Sequence, residues 1–176
     1  MTSEWNLHLL RVVIDDGEPE RHVGEEFNWF ATALWSDGVL IRSVERTKTA
    51  LPLANNYYRV NAEVIFISQD PAQAACILDF GIKAIADMWG LVGFRLPPGC
   101  QEGDYVTGEI RLELPLCTPV HPLDLRGNWL LNRISADLTH FQDMPGDVSG
   151  VRYEDVTGTD SVRAGSYVLH CSRLND

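Results

Sequence analysis

The chain has 176 residues, ordinary hydrophobic content and a formal charge of −11. That length suits a single domain over 1–176 with a core of its own. The charge argues against nucleic acid or an anionic membrane as the main partner, because phosphate binding draws its affinity from basic side chains. No apolar run is long enough for a membrane-spanning helix, and residues 1–16 lack the basic stretch and small-residue cleavage site of a signal peptide. The expected location is the cytoplasm, where Cys76, Cys100, Cys117 and Cys171 stay reduced.

Trp5 to Ile14 is rich in Leu and Val and predicts a first strand ending at Asp15-Asp16-Gly17. Glu26 to Trp35 predicts a second, with Phe27, Trp29, Ala31, Ala33 and Trp35 on one face. Ser36-Asp37-Gly38 then leads into Val39 to Arg46, and Asp-Gly between two such runs predicts a hairpin. Thr47 to Asn56 reads as irregular around Pro52. Tyr57 to Ser68 is apolar on both faces in its second half and predicts a central strand.

Residues 70–90 carry the clearest helical pattern. Asp70 suits an N-cap, Pro71 the first helical position, Gln73 a capping-box partner and Gly90 the C-terminal stop. Ala74, Ile77, Leu78, Gly81, Ile82, Ile85, Met88 and Trp89 repeat at helical spacing, and Asp79, Lys83 and Asp87 fall opposite them. This predicts one long helix over about 71–89. Gly81 would cost it about 1 kcal/mol relative to Ala, which reads as room for close approach to a sheet.

Beyond it, Leu91 to Leu96, Tyr105 to Leu114, Trp129 to Leu138, Val151 to Val156 and Tyr167 to Cys171 predict further strands separated by Pro- and Gly-containing turns. In Tyr105 to Leu114, Ile110, Leu112 and Leu114 share one face, and Glu109, Arg111 and Glu113 the other. The expected fold is mainly β (α+β): an antiparallel eight- to nine-stranded barrel or two-sheet sandwich with the helix packed on it.

Four groups of side chains could carry chemistry. Cys117, His121, His170, Cys171 and Cys100 are zinc-type ligands, yet no C-x-x-C pair organises them, and buried thiols with solvated histidines fit as well; no metal is expected. Cys100 or Cys171 with a histidine could form a nucleophile–base pair, but no nucleophile-elbow motif is present. Gly90 to Gly93 has the wrong spacing for a phosphate loop, so no cofactor is expected. The large rings of Phe27, Trp29 and Trp35 suit a core or the wall of an apolar cavity.

The fourth group is the most specific. Tyr57, Arg59, Asn61 and Glu63 alternate along one strand face. Turned inward, together with Trp29, they would give a pocket an aromatic wall, a cation, an amide and a carboxylate. Two functions follow. One is a non-catalytic module that binds a protein partner or a small apolar molecule, a stoichiometric inhibitor of a basic protein being one concrete form. The other is an enzyme acting on a small anionic or polar substrate, with Glu63 as general base and Arg59 as anion clamp. Homodimerisation is an expectation from base rates alone.

Overall fold

The computed structural model describes residues 4–29, 31–35, 40–69, 75–87, 96–114, 125–139 and 152–174. In chain order the strands are β1 (Trp5–Leu10), β2 (Glu26–Trp29), β3 (Ala31–Trp35), β4 (Ile41–Ser43), β5 (Thr49–Pro52), β6 (Tyr57–Ile67), β7 (Ala75–Asp79), β8 (Lys83–Asp87), β9 (Tyr105–Glu113), β10 (Gly127–Asp137), β11 (Tyr153–Val156) and β12 (Ser166–Arg173). Among the described residues the helical pieces are one turn after β1, α1 (Arg11–Asp15), and a 3-10 turn at Ala54–Asn56. The protein is thus mainly β, with more and shorter strands than the sequence predicts. The first predicted strand stops at Leu10 because the chain turns into α1, where Arg11 and Asp15 pair one helical turn apart at 2.9 Å.

The long helix is not what residues 75–87 form. They make an antiparallel hairpin, with Ile77 opposite Ile85, Leu78 opposite Ala84 and Asp79 opposite Lys83. The turn between them holds Gly81 at a φ of 114°, where a residue with a Cβ is strained. The Asp79 carboxylate accepts from the Gly81 N–H at 3.1 Å, closing the turn from its side chain. Both faces of the hairpin are covered: Cys76, Ile77, Leu78, Ala84 and Ile85 are fully buried. Such strands are apolar throughout and lack the alternation that would identify them. Folding about Gly81 also makes partners of residues four and eight apart, so the hairpin mimics a helical stripe. Asp70, Pro71, Gln73 and Gly90, the expected helix ends, lie outside the described residues.

Two compact units emerge, one built on residues 30–113 with 117–126, the other on 3–29 and 127–176 with 114–116. In the first, β9 pairs antiparallel with β6 along one edge and with β3 and β4 along the other. Antiparallel β6–β7 and β7–β8 pairs and a parallel β8–β3 pair complete a closed ring of five strands. β5 lies beside β6 on the edge that β7 continues. The inward residues of β6 and β9, namely Tyr58, Val60, Ala62, Val64, Val106, Ile110 and Leu112, are buried and apolar. The predicted hairpin around Asp37-Gly38 is not formed by β3 and β4. Both run antiparallel to β9, so they share one direction along a single edge. The turn residues themselves lie outside the described residues.

The second unit is an antiparallel sheet in which β12 lies between β1 and β10, while β2 and β11 follow one another along the far edge of β10. Its core is Trp5, Leu7, Leu9, Trp129, Leu131, Ile134, Ala136, Tyr167, Leu169 and Cys171. Leu131 and Ile134 are three apart yet both buried, because a bulge between Leu131 and Arg133 inserts one residue. Without that insertion, every later side chain of β10 would face the opposite way.

Gly81→Ala separates hairpin from helix. In a helix interior it stabilises by about 1 kcal/mol; at a positive φ it destabilises by roughly 1–3 kcal/mol. Nothing lies within 4 Å of the added Cβ, so the backbone alone decides the sign. The expected outcome is a lower urea midpoint; a higher one would restore the helix.

Candidate functional site

Strand β6 alternates between an apolar inner face and the polar face picked out in the sequence. That polar face points away from the ring interior: Tyr57 and Glu63 are half-buried and Arg59 is exposed. Arg59 lies opposite Glu109 and pairs with it at 2.7 Å. Tyr57 lies opposite Arg111, whose guanidinium stands 5.9 Å from the ring centroid and also pairs with Glu113. Trp29 belongs to the other unit, where its backbone carbonyl accepts the Trp129 indole N–H at 3.0 Å.

Asn61 lies on the same outward face yet is only 6 % exposed. The strand order explains this. β4 and β5 flank the β9–β6 pair, so the chain between them must cross both strands. The crossing covers three interstrand spacings, about 14 Å, and residues 44–48 make it over the outer face. There the Asn61 amide donates to the carbonyls of Glu45 at 3.0 Å and Thr47 at 2.6 Å. The crossing ends at Lys48, whose ammonium lies 2.8 Å from both Glu63 and Asp79. Hydrogen bonds to Asp79 and Glu63 hold the Lys48 pKa above its ordinary value, so the ammonium stays charged. Glu63 and Asp79 are themselves cross-strand partners on β6 and β7.

The second unit carries a polar row across four strands. Asn6 on β1 lies opposite His170 on β12, His170 opposite Arg133 on β10, and Ser135 of β10 opposite Asp155 on β11. His170 Nε2 is 3.0 Å from Ser135 Oγ, and its Nδ1 lies between an acceptor, Asn6 Oδ1 at 2.8 Å, and a donor, Arg133 Nη2 at 3.2 Å. The distances resemble a nucleophile, a base and an orienting group. The proton order runs the other way. Ser135 donates its hydroxyl hydrogen to Asp155 at 2.8 Å, so its oxygen meets Nε2 as an acceptor. With its one hydrogen on Asp155, Ser135 has no proton to give His170. The row is a structural relay.

Of the zinc-type residues, Cys117 and His121 lie outside the described residues. His170 and Cys171 are consecutive on β12 and point to opposite faces, the first into the polar row and the second into the core. Burial raises the pKa of the Cys171 and Cys100 thiols. Among the described residues no three His, Cys, Asp or Glu side chains are grouped to hold a metal ion, and no helix is long and apolar enough to cross a membrane.

Sequence reasoning missed Lys48, Asp79, Asn6, Arg133, Ser135 and Asp155. Asp79 was detectable only by reading 75–87 as strands, since its partner Glu63 is a cross-strand neighbour. Comparison with family models, curated proteins and solved structures finds no match to this chain.

The His170 relay has a pH consequence. Burial, and then the charge of Arg133, lower its pKa below 6.5, so folding favours neutral His170. That contribution is complete above about pH 6.5 and is lost as pH falls through this value toward the folded pKa. Asp155, held below its ordinary 3.8 chiefly by the Ser135 hydroxyl, loses its contribution only in stronger acid. Urea midpoints should therefore fall between about pH 7 and pH 5, and His170→Gln should flatten that part of the curve. An unchanged slope would remove His170 from the account.

Proposed function

We propose that this chain is a non-catalytic interaction module that docks a basic protein. One observation carries the reading: on β6 and β9 the groups able to do chemistry face outward and are already ion-paired, while the inner positions are apolar. Arg59 is committed to Glu109, and Glu63 to Lys48. A general base and an anion clamp both need to be free for a substrate, whereas outward charges on a curled β-sheet can meet a macromolecule. The charge of −11 adds the sign of the partner, since complementary fields speed encounter and reject acidic competitors. Cytoplasmic residence with reduced thiols fits the same reading.

The test is native mass spectrometry of the chain isolated from its own host at low ionic strength. The expected species is a one-to-one complex with a protein of basic composition. It should weaken about tenfold or more between roughly 50 and 500 mM salt, as the Debye length contracts. An enzymatic turnover lost in both Glu63→Gln and Arg59→Ala would establish the enzyme reading instead.

A further inference from the structure

The crossing segment 44–48 is attached in an unusual way for a loop. Val44 is 97 % exposed, and Glu45, Arg46, Thr47 and Lys48 are all exposed. It buries no apolar side chain of its own. Two backbone carbonyls on Asn61 and one terminal amine on Glu63 and Asp79 hold it to the face beneath. This is how an extended peptide ligand is held: main-chain bonds supply general affinity, and one side chain in a matching site supplies selectivity.

The face also carries a group that the segment does not use. Asn61 Oδ1 is buried and has no hydrogen-bond partner among the described residues. Its amide nitrogen reads two carbonyls, while its oxygen is left to accept from a backbone N–H. An extended strand laid across Asn61 can offer both. At the two margins of the same face, Ile41 on β4 and Leu51 on β5 are 61 % and 60 % exposed and supply apolar surface.

We infer that Asn61, Glu63 and Asp79 form a docking site for an extended, lysine-bearing segment of a protein partner, and that residues 44–48 occupy it in the free chain as a built-in competitor. The partner is basic because the selective contact is a carboxylate pair on a chain of charge −11. The inference rests on the interaction-module reading and names its site. It also sets a control: a partner sees only the fraction of molecules whose own segment has lifted, so weakening the resident lysine raises apparent affinity.

The test uses the full chain and a fluorescein-labelled peptide with the sequence of residues 43–49, SVERTKT, followed by anisotropy. The Lys48→Ala chain should bind this peptide about tenfold more tightly than the wild-type chain. Adding Glu63→Gln or Asp79→Asn to Lys48→Ala should return binding to the wild-type level or below. A peptide with alanine in place of its lysine should bind the Lys48→Ala chain about tenfold more weakly, and this arm probes the same contact without touching the protein's fold. Equal binding by the Lys48→Ala and wild-type chains, or indifference to the peptide lysine, would overturn the site. A wild-type dimer competed off by the peptide would assign the face to a second copy and overturn the partner. If the site fails while a salt-sensitive complex with a basic protein persists, the module reading stands and only its location is wrong; loss of that complex defeats the module itself.

Discussion

The first unit depends on one strand being paired along both edges. β9 meets β6 on one side and β3 with β4 on the other, and this second pairing turns a row of strands into a ring. A ring leaves its members no open edge, and open edges are where sheets recruit unwanted strands. β5 stands beside the ring, paired to β6, and it carries Pro52, which has no N–H to offer a further strand. Closure also fixes which side chains face inward. Once the register of β6 against β9 is set, Tyr58, Val60, Ile110 and Leu112 must fill the interior, and Arg59, Asn61, Glu63 and Glu109 must leave it.

The same arrangement generates the crossing segment. Because β4 and β5 sit on opposite sides of the β9–β6 pair, their connection has to travel over a face, and the inner face is full. It therefore runs outside and is fastened by polar contacts. A buried amide such as Asn61 is tolerated there because two carbonyls reach its nitrogen. The carboxylates of Glu63 and Asp79, brought together by β6–β7 pairing, are tolerated because Lys48 lies between them.

Much of the strand content was legible, above all at β6, β9, β10 and β12, where alternation or β-branched runs are plain. The central helix was not. Residues 75–87 are buried on both faces, and a hairpin folded about Gly81 places Asp79 opposite Lys83 and Ile77 opposite Ile85, the same spacings that mark a helix. The polar residues Tyr57, Arg59, Asn61 and Glu63 share a face, as their alternation predicts. Which way that face points depends on a register with β9 some fifty residues away, and no local pattern records it. The His170 row was invisible for a related reason: its members come from four strands, and only the sheet makes them neighbours.

Among the described residues the fully buried thiols fall one to each unit, Cys76 on β7 of the first and Cys171 on β12 of the second. Both are fully buried, and burial pushes both pKa values well up, so neither is a competent thiolate while its strand stays paired. Their reaction with an alkylating reagent is therefore gated by local opening, and each rate reads the opening of its own unit. Cys76 and Cys171 are thus native reporters, able to say whether a denaturant or a bound partner loosens one unit before the other.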